Sequence, residues 1–160
     1  MNNIKFFDMA LDWEDYYWIG SIKSKTFDDM PLDYVEIQVN TDGQSQDIHV
    51  NQIEAWEKFT SDLSNPGKLL SHIYDYYNKT RPIYEKSGAE WVKNMPVLKS
   101  SIELKKMIRL NSITIGEVVE SEQVELGFCF SCDWDQEHGL GIVFSDSKVI
   151  EVGGADCAIL

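Results

Sequence analysis

The sequence predicts a single α+β domain: a mainly antiparallel sheet with two to three helices inserted mid-chain and packed on one face. Three observations carry the prediction. Apolar residues alternate with period two towards both ends of the chain, they recur with helical period only between about residues 51 and 107, and no internal repeat or low-complexity tract divides the 160 residues. The expected order is strands over about 4–50, helices over about 51–107 and strands over about 108–153.

Residues 16–23 (YYWIGSIK) are rich in aromatic and β-branched side chains. Residues 33–40 (DYVEIQVN) place Val35, Ile37 and Val39 on one strand face, and Thr41-Asp42-Gly43 supplies a turn. The period then changes. Ile53, Trp56, Phe59 and Leu63 fall at helical spacing over 51–63, with Asn51 as the expected N-cap and Glu54 three residues on. Asn65-Pro66-Gly67 restarts the chain, and Leu69, Leu70, Ile73, Tyr74 and Tyr77 form one apolar stripe of a second helix. Pro82 is expected to end or kink that helix at about Arg81. Residues 83–99 have no clear period and are expected to form a loop with one helical turn. Ser100 and Glu103 form a capping-box pattern opening a short helix to about Met107, followed by a strand over 108–116 (IRLNSITIG).

The strongest pattern lies near the C-terminus. Val124, Leu126, Phe128, Phe130, Cys132 and Trp134 alternate without a break against Glu125, Gly127, Cys129, Ser131 and Asp133. Leu140, Ile142 and Phe144 repeat the alternation, Ser145-Asp146-Ser147 turns, and 148–153 makes a last strand. Residues 123–134 and 139–145 are thus expected to be antiparallel neighbours joined by Asp135–His138, with 148–153 beside them.

Composition bounds the function. With 43% apolar residues and five tryptophans the chain can bury a core without disulfide or metal staples. No apolar run approaches the length of a membrane span, the first residues lack a basic-then-apolar leader pattern, and three cysteines make no even framework; a cytoplasmic address is the expectation. The formal charge of −13 is uneven: residues 1–60 carry −8, residues 61–110 carry +4 and residues 111–160 carry −9. Such a field repels nucleic-acid phosphates and anionic lipid and attracts a basic protein, so the expected partner is a basic protein, with no nucleic acid and no membrane. The acidic charge is expected to gather on a surface shared by the two strand-bearing ends. The sequence sets no oligomeric state.

Chemistry-bearing residues concentrate in CDWDQEHGLG, residues 132–141. His138 with Asp135 or Glu137 is the candidate acid–base group, since imidazole and carboxylate carry protons near neutral pH. The competing expectation is structural: Asp135 makes an Asx turn, Gly139 and Gly141 take positive φ or admit close backbone, and His138 bonds backbone groups of the connection. No metal and no cofactor is expected, because consecutive residues in a tight loop do not converge on one ion. Cys129-Phe-Ser-Cys132 on a strand points its two sulfurs to opposite faces, so it holds neither zinc nor a disulfide. Gly139-Leu-Gly141 enters a strand rather than a helix and is no dinucleotide loop. Cys157-Ala-Ile-Leu160 matches a prenylation box but lacks the basic second signal. Tyr74, Tyr76 and Tyr77 with Trp91 are expected to be core rather than a ligand grip.

Trp134-Asp135-x-Glu137-His138-Gly139-Leu140-Gly141, followed by Val149-x-Glu151-Val152-Gly153-x-Ala155-Asp156, resembles the C-terminal signature of a bacterial family of uncharacterised domain proteins. The likeness is specific over about residues 104–160, and it brings no activity. By analogy of size and charge, members of this kind are similar to immunity proteins that neutralise toxins of neighbouring cells. Two functions are therefore expected in competition: an acidic cytoplasmic binding protein of immunity type, acting on a basic toxin such as a nuclease, and an enzyme using His138 with Asp135 or Glu137.

Overall fold

The computed structural model describes residues 3–6, 8–24, 32–43, 46–62, 66–119 and 122–160. Within them, eight strands form one sheet in sequential order: β1 (Asn3–Phe6), β2 (Met9–Glu14), β3 (Tyr17–Ser24), β4 (Asp33–Asn40), β5 (Ile108–Ile115), β6 (Glu125–Cys132), β7 (Leu140–Ser145) and β8 (Lys148–Gly153). Two helices, α1 (Val50–Asp62) and α2 (Pro66–Ser87), and two 3-10 helices (Glu90–Asn94 and Ser101–Lys106) lie between β4 and β5. The fold is α+β. All neighbouring strands are antiparallel except β4 and β5, which the helical insert makes parallel by carrying the chain back to the starting end.

One sheet face is apolar across its width. Leu11, Trp18, Val35, Ile37, Val39, Ile113, Ile115, Phe128, Phe130, Leu140 and Ile142 are all buried. The helices cover that face. Phe59 of α1 sits 4.4 Å from the Phe128 ring and 5.6 Å from that of Phe144, while Trp56, on the same helix, stands 6.2 Å from Phe6 in β1. A flat sheet would hold β1 and β7 roughly 29 Å apart at about 4.8 Å per strand, whereas a helix is about 10 Å across. The sheet therefore curls around α1, as right-handed strand twist allows.

Several boundaries differ from expectation. β1 and β2 fall within the strand region expected from about residue 4, although only 16–23 and 33–40 were marked out there as individual strands. The cap of α1 is His49 with Gln52, not Asn51 with Glu54: the Gln52 side-chain oxygen accepts from the His49 N–H (3.0 Å), and His49 Nδ1 accepts from the Asn51 N–H (3.2 Å). Leu63 and Asn65 lie outside the described residues. Pro82 does not end α2, which runs on to Ser87. The helix stops where Gly88, at positive φ, and Ala89 donate to the carbonyls of Glu85 and Tyr84, closing a Schellman motif. Residues 83–99, expected as connection, thus contain the last turn of α2 and the 3-10 helix Glu90–Asn94. Ser100 and Glu103 do form a capping box, but it opens a 3-10 rather than an α-helix.

Candidate functional site

The 132–141 segment is a tightly bonded hairpin connection. β6 and β7 pair antiparallel from Glu125↔Ser145 to Phe130↔Leu140, as the alternation predicted. Asp135 makes the Asx turn: its carboxylate accepts from the His138 N–H at 3.0 Å, and its carbonyl accepts from the Gly139 N–H at 2.9 Å. Gly139 then takes φ +65°, where a Cβ would also press on the Phe130 carbonyl. Trp134 turns inwards, buried, with its ring edge-on to Tyr77 of α2 at 5.0 Å, so the connection is keyed to the helical layer.

His138 departs from the expectation that its ring bonds buried backbone. Its Nδ1 lies 3.0 Å from Asp135 Oδ1, and its side chain is 61% exposed. The imidazole is therefore an outward companion of the Asp135 carboxylate, not a strut. Its backbone is the structural part: the N–H donates to the Asp135 carboxylate and the carbonyl accepts from the Ala155 N–H at 2.9 Å. Glu137 and Asp133 are exposed. Among the described residues, no three His, Cys, Asp or Glu side chains form a metal-ligating group.

The cysteines are split between faces. Cys132 is buried on the helix side, and Cys129 is half-buried on the other. Burial pushes the Cys132 thiol up to about 11 and raises that of Cys129; burial, then the charges of Glu151 and Asp156, pushes Cys157 up to about 11. These sulfurs remain thiols at neutral pH, the weakly nucleophilic form.

Gly127 and Gly141 face away from the helices because the chain's last residues cross there. A Cβ on Gly127 would collide with the Ala158 carbonyl, and one on Gly141 would lie 2.7 Å from Cys157 Sγ. Ala158 is fully buried, and the Leu160 carbonyl accepts from the Asn40 side-chain amide. Residues 157–160, the prenylation-box match, thus form a segment packed along the sheet. The signature Trp134, Asp135, Glu137, His138, Gly139 and Gly141 places its glycines and Trp134 in structure and leaves Glu137 and the His138 ring in solvent.

A different site emerges from the strand registers. Glu14↔Tyr17, Tyr17↔Asn40, Val39↔Ile115, Ile115↔Leu126, Glu125↔Ser145 and Ser145↔Lys148 align one end of the sheet. That end and its loops carry Glu14, Asp15, Asp42, Glu117, Glu122, Glu125 and Asp146, while Lys148 is the lone basic residue of the same described strand ends and loops. Tyr16, Val50 and Val119, each more than half exposed, belong to the same end. The basic side chains of residues 79–109 belong to the C-terminal half of α2, the following 3-10 helices with the segment between them, and the start of β5, whose Ile108 pairs with Cys132 at the opposite end. The acidic rim spans roughly 25 Å along the sheet from β2 to β7, at about 4.8 Å per strand.

Gln52 anchors α1 at this rim. Only 2% exposed, it donates to the Asn40 carbonyl at 2.7 Å and the Gly116 carbonyl at 2.8 Å while capping its own helix. Every polar atom of the side chain that tethers helix to sheet is thereby used. Beside it, Asn51 donates to the Glu122 carbonyl at 2.8 Å. Between α1 and strands β6 and β7 with their adjoining loops opens a cleft of about 270 Å³ with Phe59 and Phe144 in its floor and Glu54, Glu122, Asp146 and Lys58 at its mouth. The segmental charge imbalance pointed to an acidic surface shared by the strand-bearing ends but did not place it, because the rim is assembled from four separated loops, and the cleft, built from α1, β6, β7 and their loops, left no signal in the sequence.

Compared with known proteins, the chain matches one family model, a domain of unknown function (DUF6985), over residues 9–160. No curated protein and no solved structure matches it.

Proposed function

We propose that this chain, which belongs to the DUF6985 family, is a bacterial, cytoplasmic binding protein of immunity type that occupies a basic protein such as a nuclease toxin. The observation that carries the reading is the polarised charge: seven carboxylates converge from distant parts of the sequence on one sheet end, with exposed apolar side chains among them. Inhibition by occupation needs no catalytic residues, and a field of one sign speeds encounter with a partner of the other. The same field disfavours nucleic acid and anionic lipid. No helix among the described residues is long and apolar enough to cross a membrane.

Rapid mixing with the basic product of an adjacent gene tests the reading. A fast association that slows as salt rises from 0.05 to 0.5 M (about one decade in concentration, across which the Debye length falls through about 10 Å) is the expected result. Absence of association, or a rate indifferent to salt, overturns it.

A further inference from the structure

We infer that the cleft between α1 and strands β6 and β7 is a socket for an arginine side chain; the inference rests on the binding reading above and names the partner chemistry its acidic end would anchor. The volume decides the size of the occupant. Pockets for whole small-molecule ligands run to about 300–1,000 Å³, and at about 270 Å³ this cleft suits one long side chain rather than a nucleotide. The lining decides its charge. Phe59 and Phe144 present aromatic carbon to the floor, and three carboxylates, Glu54, Glu122 and Asp146, stand at the mouth. An aromatic floor attracts a cation, and a planar guanidinium lies flat on such a floor while its edges donate to two carboxylates at once, which a lysine ammonium does not do.

The mouth is set by backbone as well as by side chains. Glu122 and Asp146 sit at φ 56° and 49°, and the Asn51 amide holds the Glu122 carbonyl at 2.8 Å. The chain already places one of its own cations there: Lys58 Nζ lies 3.6 Å from Asp146 Oδ1, with both side chains 65% exposed. A contact so open to water is weak, and an incoming guanidinium competes with it.

The test is an NMR titration of the full chain with acetyl-Gly-Arg-Gly-amide, with the citrulline peptide as an uncharged counterpart of the same shape. The expected result is saturable shifts at the amides of Ala55, Glu122 and residues 145–147, at least roughly tenfold weaker in Glu54→Gln/Asp146→Asn, as losing charged hydrogen bonds implies. Both substitutions are on exposed side chains, and an otherwise unchanged spectrum certifies the fold. Shifts elsewhere, no saturation, or an equal response to citrulline overturns the socket. The two failures separate cleanly. A basic protein that binds Glu54→Gln/Asp146→Asn as tightly as the unaltered chain overturns the socket alone, whereas a chain that saturates with the arginine peptide yet associates with no basic protein overturns only the binding reading.

Discussion

Lys58 reaches from α1 to Asp146 in the β7–β8 turn, Nζ to Oδ1 at 3.6 Å, and so stands a cation at the mouth of the cleft lined by Phe59 and Phe144 at the acidic end. If that ammonium competes with a bound guanidinium, Lys58→Met should tighten the arginine peptide several-fold, because it removes like charge and a rival for Asp146. Weaker binding in Lys58→Met would mean that Lys58 holds the site together instead.

The Asp135–His138 pair makes a second prediction, about stability. The His138 ring is exposed and bonds only to the Asp135 carboxylate, so His138→Ala should change unfolding free energy by no more than about 0.5 kcal/mol. Asp135→Ala should cost roughly 1 kcal/mol, since the turn's backbone N–H loses its acceptor. Urea unfolding of both variants distinguishes the two positions, and a larger loss in His138→Ala would contradict the geometry.

Gly127→Ala should destabilise by roughly 1–3 kcal/mol, because its Cβ falls on the Ala158 backbone and the overpacking has no flexible side chain to yield. Gly153→Ala, whose Cβ would meet Cys157 Sγ at an ordinary 3.5 Å, should be tolerated. Equal melting temperatures for the two variants would show that the last residues do not pack on the sheet as described.

Alkali should destabilise the protein in a defined window. Cys132 and Cys157 rise from an ordinary 9 to about 11, and Tyr77 from 10 to about 12, all chiefly through burial. The folded state keeps protons that the unfolded state gives up, so this contribution is complete below pH 9 and is lost as pH rises through 11 to 12. Urea midpoints measured from pH 8 to 11.5 should fall, and rapid alkylation of the folded thiols at pH 8 would contradict the raised values.

Local pattern made much of this fold legible. The run from Val124 to Trp134 fixed β6, its buried face and its pairing with β7, because alternation beside a Gly-rich turn admits few registers. Cap positions were less readable: a histidine and a glutamine, weaker cap formers than Asn51 and Glu54, won because Gln52 also reaches the ends of β4 and β5, a tertiary contact that no local rule contains. Pro82 misled for a similar reason. Its helix continues because tertiary bonds hold the turns around it, with the Tyr77 hydroxyl on the Pro96 carbonyl and Arg81 Nε on that of Met95. The candidate His138, Asp135 and Glu137 were visible as a dense cluster, but density in sequence did not distinguish a bonded turn from a site. The segment charges implied an acidic surface shared by the strand-bearing ends, but which residues form it was not legible, since Glu14, Asp42, Glu117, Glu122 and Asp146 meet only through strand registers.

The most direct test of the account compares two triple variants in their association with the same basic partner. Glu14→Gln/Glu117→Gln/Glu122→Gln removes three charges from the acidic end, and Asp33→Asn/Asp133→Asn/Glu137→Gln removes three from the opposite end, leaving the net charge identical. The account predicts a slower association and a shallower salt dependence for the first and near-unaltered kinetics for the second. Equal effects from the two variants would contradict it, because charge would then act through its total and not through its place.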